Sequence, residues 1–92
     1  MPQVNEKLPD GKFFDFAAVA VRSSEDLGSL MRTRRKKLDL KQTDLAGIAN
    51  TGNRFIVDVE NGKPTVQLQK VMDLLDLLGL ELMVRPKTGG SL

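Results

Sequence analysis

Residues 42–65, QTDLAGIANTGNRFIVDVENGKPT, carry the pattern that decides the fold. They read as a short helix, a tight turn, a second short helix and a Gly-terminated exit. In the first helix Leu45, Ala46, Ile48 and Ala49 share one side. In the second, Ile56 and Val59 point inward while Asn53, Arg54, Val57 and Asp58 face out. Isolated helices below about 12–15 residues are marginal in water, so the pair has to pack on helices before and after it. What it presents is a rigid second helix with polar side chains at its N-terminal end, a geometry suited to a DNA major groove.

The flanking segments supply that packing. Asn50-Thr51-Gly52-Asn53 makes the turn, since Asn and Gly tolerate positive φ, and Asn61-Gly62 stops the second helix. Upstream, Ser23-Ser24-Glu25-Asp26 has the form of a capping box with acids in the first turn. Leu27, Leu30, Met31 and Leu38 then recur near helical spacing, and Asp39 is expected to end that helix in a left-handed conformation. Downstream, Pro64 stands where a helix can begin, with Thr65 as its cap. Residues 66–78 follow with Leu68, Val71, Met72, Leu74, Leu75, Leu77 and Leu78 before Gly79. So much apolar surface suggests core on one side and a dimer contact on the other.

Residues 80–85, LELMVR, alternate in their first half and read as a short strand. A lone strand leaves an exposed edge. The candidate partners are the same strand of a second copy or an extended segment over residues 19–22. Residues 13–21, FFDFAAVAV, admit an extended arm or a short helix; Val19, Val21 and the following Arg22-Ser23 favour the extended form. Phe13, Phe14 and Phe16 are expected to cover the domain's own core or a partner. The expected organisation is a flexible arm over residues 1–22 with this apolar patch, a helical domain over 23–79, a dimerisation strand over 80–85 and a disordered tail over 86–92.

Composition narrows the function. The 92 residues make one small domain, and 4% aromatic against 40% hydrophobic content calls for an aliphatic core. There is no Cys and no His, which removes disulfides, the usual zinc sites and the commonest general base. The acids lie on helix faces without a glycine-rich phosphate loop or a metal-ligand cluster, so no catalytic, cofactor or metal site is expected and the chain does not read as an enzyme. No apolar run approaches the ~20 residues that cross a bilayer, and residues 13–21 are too short and too interrupted by Asp15 for a signal peptide. The expectation is a cytoplasmic protein with no membrane partner. Net charge is only +2, but Arg32, Arg34, Arg35, Lys36, Lys37 and Lys41 fall within ten residues. Such a cluster suits a polyanion, or it is a solvated helix face that the helix dipole favours.

Gln42-x-x-Leu45-Ala46, then Ile56, then Glu60-Asn61-Gly62-Lys63 resembles the Cro and phage-repressor helix-turn-helix family over residues 27–79. The run Leu77-Leu78-Gly79-Leu80-Glu81-Leu82 into a strand and tail is similar to the HipB-type antitoxins of that family. The resemblance implies a mainly α fold, a lambda-repressor-like domain of four to five helices whose short C-terminal β-strand joins its mate across a homodimer. It implies that Gln42 clamps a phosphate, that Asn53 and Arg54 reach base edges, and that Val57 and Asp58 face the groove. Arg suits guanine and Asn suits adenine; Val57 could touch a thymine methyl, and Asp58 would accept from cytosine N4 or repel the backbone. Asn53 could equally cap its helix. Lys41, Asn61 and Lys63 match phosphate contacts, Arg35 and Glu60 match a structural pair, and Leu80, Leu82 and Val84 fall on the dimerisation strand. Asp39 and Asn50 stand where relatives usually have Gly, and Phe55 occupies a position that is more often polar.

The function so implied is repression of the chain's own operon through palindromic double-stranded operator DNA, together with restraint of a HipA-like Ser/Thr kinase toxin. The apolar patch at Phe13–Phe16 and the acidic outer face of the last helix are the candidate toxin surfaces. The alternatives are a helix-turn-helix regulator without a toxin and an interaction module that has lost DNA binding.

Overall fold

A computed structural model of the chain describes residues 18–87. The Phe13–Phe16 patch and the tail from residue 88 onward lie outside the described residues. Among the described residues four helices follow one another: α1 (Ser24–Lys37), α2 (Gln42–Ile48), α3 (Asn53–Glu60) and α4 (Leu68–Leu77). The fold is mainly helical, as expected. No helix among the described residues is long and apolar enough to cross a membrane.

All four helices end in the same way. Each cap is followed by a residue at positive φ: Asp39 (60°), Asn50 (54°), Gly62 (81°) and Gly79 (74°). In every case the next amide donates back into the last turn, Leu40 to the Arg35 carbonyl at 3.2 Å, Thr51 to Ala46 at 2.9 Å, Lys63 to Asp58 at 2.9 Å and Leu80 to Leu75 at 2.8 Å. This six-to-one bond, paired with a five-to-two bond from the positive-φ residue itself, is a Schellman motif, which satisfies carbonyls that a helix end would otherwise orphan. Asp39 and Asn50 therefore do the work of glycine, at the cost of a less favourable left-handed conformation.

The N-termini are more varied. Ser23 caps α1, its Oγ accepting from the Asp26 N–H at 3.0 Å, but the reciprocal bond is shifted: Asp26 Oδ2 accepts from the Arg22 N–H, also at 3.0 Å. Gly52, with no side chain to offer, occupies the cap position of α3, which removes the capping role considered for Asn53 and leaves its amide exposed. The expected start of α4 with Thr65 as cap is not what forms. Residues 64–66 make a turn, Gln67 stands at the cap position, and the helix begins at Leu68, because Val66 turns in to pack against the core.

Met31, Leu45, Ala46, Ile56, Val59, Val71, Leu74, Leu75 and Leu78 form the core, an aliphatic one, with Leu27, Ala49, Phe55, Val66 and Leu80 packed around it. Each of these buried side chains larger than Ala46 contributes about 1.5–3 kcal/mol. Two residues expected on the inner stripes are not there. Leu38 is the C-cap of α1 and lies exposed, and Ile48 at the end of α2 is 58% exposed. Helix α3 packs against both α1 and α2. The contact with α1 is close at Gly28, where a Cβ would lie 2.7 Å from the Glu60 carbonyl oxygen and closer still to that of Val59. Nearby, Ser24 Oγ donates to the Gly62 carbonyl at 2.8 Å.

The expected strand over residues 80–85 does not form within the chain; residues 80–87 carry no helix or strand. The Leu80 N–H is already committed to ending α4, and residues 18–22 do not pair with the rest, so the ladder groups of residues 81–85 have no partner strand among the described residues. Leu80 rests on the core, whereas Leu82 is 48% exposed and Val84 93% exposed.

Gly→Ala in an exposed helix interior ordinarily stabilises by about 0.5–1 kcal/mol. Gly28→Ala should do the reverse and destabilise by about 1–3 kcal/mol, because the new methyl meets backbone carbonyls rather than a yielding side chain. A lower urea midpoint at unchanged m-value is the expected result; a higher midpoint would show that α1 and α3 are not in contact at this point.

Candidate nucleic-acid interface

The α2–turn–α3 unit is held in place by one buried carboxylate. Glu60, the last residue of α3, is 4% exposed and Arg35, on α1, is 7% exposed. Arg35 Nε lies 2.6 Å from Glu60 Oε2 and Nη2 lies 3.0 Å from Oε1, a two-pronged pair, while Arg35 Nη1 donates to the Leu40 carbonyl at 2.7 Å. Gln42, the first residue of α2, donates from Nε2 to Glu60 Oε1 at 3.0 Å. Arg32 adds a longer contact to the same oxygen at 3.4 Å. Charge-assisted, two-pronged bonds of this kind fix geometry as well as supplying energy. No buried side-chain polar atom among the described residues lacks a partner.

These contacts set the titration of the pair. Burial pushes the Glu60 carboxyl up, but hydrogen bonds from Arg35, Gln42 and Arg32 together with the Arg35 charge prevail, and its pKa lies below the ordinary carboxylate value. The hydrogen bond to Glu60 raises Arg35, against the effect of burial, and the Glu60 charge adds to the rise.

The arginines of the basic cluster in α1 are engaged within the domain. Besides Arg35, Arg34 Nε donates to the Leu78 carbonyl at 2.7 Å, closing the C-terminal end of α4. Arg32 Nη2 donates to Asn61 Oδ1 at 2.9 Å. Lys36, Lys37 and Lys41 are exposed. Neither the inward roles of Arg32 and Arg34 nor the close approach at Gly28 formed part of the sequence reading. The spacing of Arg32 and Arg35, three apart on one helix, was the available signal for the first.

The outer face combines the residues singled out in α3 with those just after it. Asn53 and Arg54 are exposed at the start of α3, and Val57 and Asp58 are half-buried one turn later. Arg54 Nε stands 3.3 Å from Asp58 Oδ1 and Lys63 Nζ stands 3.5 Å from Asp58 Oδ2. Asn61 and Lys63 are exposed beyond the helix, and Lys41 and Gln42 flank the start of α2, with Gln42 bonded to Glu60. Because Asn61 Oδ1 accepts from Arg32, the donor end of its amide is the end left for another partner. Phe55 is half-buried against the core with Lys70 Nζ 5.6 Å from its ring centroid, so its place in α3 is a packing one. Leu80, Leu82 and Val84 lie in the segment after α4.

Comparison with known proteins bears on this arrangement. A family model described as Helix-turn-helix matches residues 31–83. The chain is 46% identical over 65 residues to "Uncharacterized HTH-type transcriptional regulator y4mF" of Sinorhizobium fredii (strain NBRC 101917 / NGR234), spanning 71% of this chain and 86% of that protein. It is 31% identical over 62 residues to "ImmF control region 10 kDa protein" of Bacillus phage phi105, spanning 67% of this chain and 69% of that one. Among solved structures, the HipB-O4 20mer complex matches with a TM-score of 0.69 at 20% identity, over 75% of this chain and 97% of that one. The HipA-HipB-O2-O3 complex matches with the same TM-score, identity and coverage. At that identity the likeness concerns the fold.

The Glu60 pair makes a pH-dependent contribution whose sign follows from its lowered pKa. In the unfolded chain Glu60 takes up a proton near its ordinary pKa of about 4.3, in the folded chain only at lower pH. Between the two, the unfolded state binds more protons, so this contribution is present above that range and is lost as pH falls through it. Glu60→Gln should cost about 3–5 kcal/mol at neutral pH by leaving Arg35 buried without its counter-charge. It should also flatten the fall in stability on acidification. Denaturant titrations of both proteins from neutral pH to about pH 3 measure this. Parallel curves would assign the acid sensitivity to other carboxylates.

Proposed function

The chain belongs to the helix-turn-helix family of transcriptional regulators, and we propose that it acts as a sequence-specific repressor of its own operon and as the antitoxin of a HipA-like Ser/Thr kinase toxin. The observation that carries the DNA-binding part is the pairing of an exposed Asn53-Arg54 edge with a helix whose other end is locked at Glu60. A side chain on a rigid element is placed more precisely for base contact than one on a loop. In this reading Asn53 and Arg54 contact base edges, Val57 and Asp58 line the groove, and Lys41, Gln42, Asn61 and Lys63 hold phosphates. Phosphate contacts position the domain; the base contacts specify the site.

The same reading assigns residues 23–79 to the DNA-binding unit, residues 80–85 to dimerisation, and residues 1–22 and 86–92 to flanking arms. A homodimer would place two copies of α3 about 34–36 Å apart on a palindromic operator. Support comes from the backbone of this segment, which has no partner strand among the described residues, and from exposed Leu82 and Val84, which a strand paired with its mate would carry on one face. Leu80 joins that segment to the core.

Support for the antitoxin part is the fold it shares with HipB, which has been solved in a HipA-HipB-O2-O3 complex. The narrower alternative is a regulator of the same family without a toxin, a reading that the transcriptional regulator at 46% identity fits equally well.

Titration of a fluorescent duplex from the chain's own promoter tests the repressor reading. Binding should be salt-sensitive, with two chains per site, and Arg54→Ala should weaken it by about 1–3 kcal/mol. Equal affinity of the wild type for promoter and random DNA would defeat it. The antitoxin reading is tested by titrating the chain against the HipA-like kinase of its own operon: a stable complex that suppresses phosphorylation is expected. If no such kinase is encoded there, or the two do not bind, the regulator without a toxin stands.

A further inference from the structure

Asp58 is the one acid among the described residues that pairs with Arg54 and Lys63. Its Oδ1 lies 3.3 Å from Arg54 Nε, one helical turn earlier, and its Oδ2 lies 3.5 Å from Lys63 Nζ, beyond the end of α3. A single carboxylate thus engages two cations, one with each oxygen. The acid is recessed, its side chain 21% exposed, whereas those of Arg54 and Lys63 project at 86% and 53%. Lys63 cannot swing far on its backbone, because its N–H donates to the Asp58 carbonyl at 2.9 Å and closes the end of the helix.

We propose that Asp58 is a specificity-determining residue of the α3 face: it withholds Arg54 and Lys63 from the phosphates of arbitrary DNA and releases them where a base-edge amino group, cytosine N4 in particular, takes its carboxylate. This rests on the reading of the chain as a DNA-binding regulator. B-form DNA carries one negative charge per ~1.7 Å of helix axis, so two unopposed cations would strengthen binding to any sequence while carrying no sequence information. With Asp58 in place, a cation that moves out to a phosphate gives up its contact with the carboxylate. That carboxylate then faces a polyanion with part of its charge uncompensated.

The two exposed pairs are individually weak and screened by salt. The repulsion between Asp58 and phosphate does not depend on their strength, since it operates whichever cation departs. A cytosine amino group in the major groove is a base-edge donor suited to a carboxylate. At a site that offers one, Asp58 remains paired, Arg54 is free to turn to a guanine edge and Lys63 to a phosphate. Discrimination then comes from disfavouring the wrong duplex as well as from contacts to the right one.

The test compares wild type with Asp58→Asn on two duplexes of equal length, one from the chain's own promoter and one of random sequence, at two salt concentrations. The variant should bind the random duplex roughly tenfold more tightly at low salt, with the slope of log K against log salt steeper by about one. The promoter duplex should gain less, so the promoter-to-random affinity ratio falls. A gain in affinity cannot come from a variant that fails to fold. If the variant binds random DNA no more tightly, or both duplexes gain by the same factor, the proposal is overturned while the regulator reading stands. If wild type does not prefer the promoter duplex at all, the regulator reading fails and the proposal goes with it.

Discussion

The buried carboxylate of Glu60 is the constraint on which the rest of the domain depends. It terminates α3, and its partners come from α1 and from the first residue of α2, so three helices meet at one charge. A carboxylate this far from water has to be compensated by hydrogen-bonded cations or it shifts to its neutral form. Arg35 does this with two prongs, and the requirement fixes the rotation of α1 about its own axis. Gly28 is a consequence of that rotation. To bring the Arg35 guanidinium to Glu60, the two helices run so close two turns earlier that a side chain at position 28 has no room.

The apparent excess of arginine in α1 takes on a different meaning in this light. Arg32, Arg34 and Arg35 each close a polar end: the side chain of Asn61, the carbonyl of Leu78 at the cap of α4 and the carboxylate of Glu60. Guanidinium suits such work because its rigid fork meets fixed acceptors with little loss of freedom per bond. The lysines of the same run stay in solvent. What looked like a uniform basic stripe is therefore divided by chemistry, arginine inward as a joint and lysine outward as charge.

Much of this architecture was legible in the residues, and each exception has a physical cause. The limits of α3, the stops at Asp39, Asn50, Gly62 and Gly79, and the aliphatic core follow from local preferences acting over a few neighbours. Periodicity placed Leu38 and Ile48 inside because it counts spacing and takes no account of where a helix is cut; both sit at helix ends where the last turn peels away from the core. The start of α4 was displaced because Val66 answers to the core rather than to Pro64 and Thr65. Gly28 and the double pairing of Asp58 were invisible for a stronger reason, since each depends on an element distant in sequence or on how a side chain turns. Residues 80–85 have the composition of a strand, but a strand is a relation between two backbones, and one copy supplies only half of it.

The Glu60 junction also bears on modularity. The two short helices and their turn are often the part of such a domain that draws the eye, yet the counter-charge that lets α3 end inside the protein is carried by α1. Ser24 reaches Gly62 across 38 residues and Arg34 reaches Leu78 across 44. Transplanted alone into another scaffold, residues 42–62 would bring a buried acid without its base and a close-packing face without its glycine. The smallest portable unit is the whole span from the cap of α1 to the end of α4, and within it a changed recognition surface can be grafted on α3 only at positions that leave Glu60 and its partners untouched.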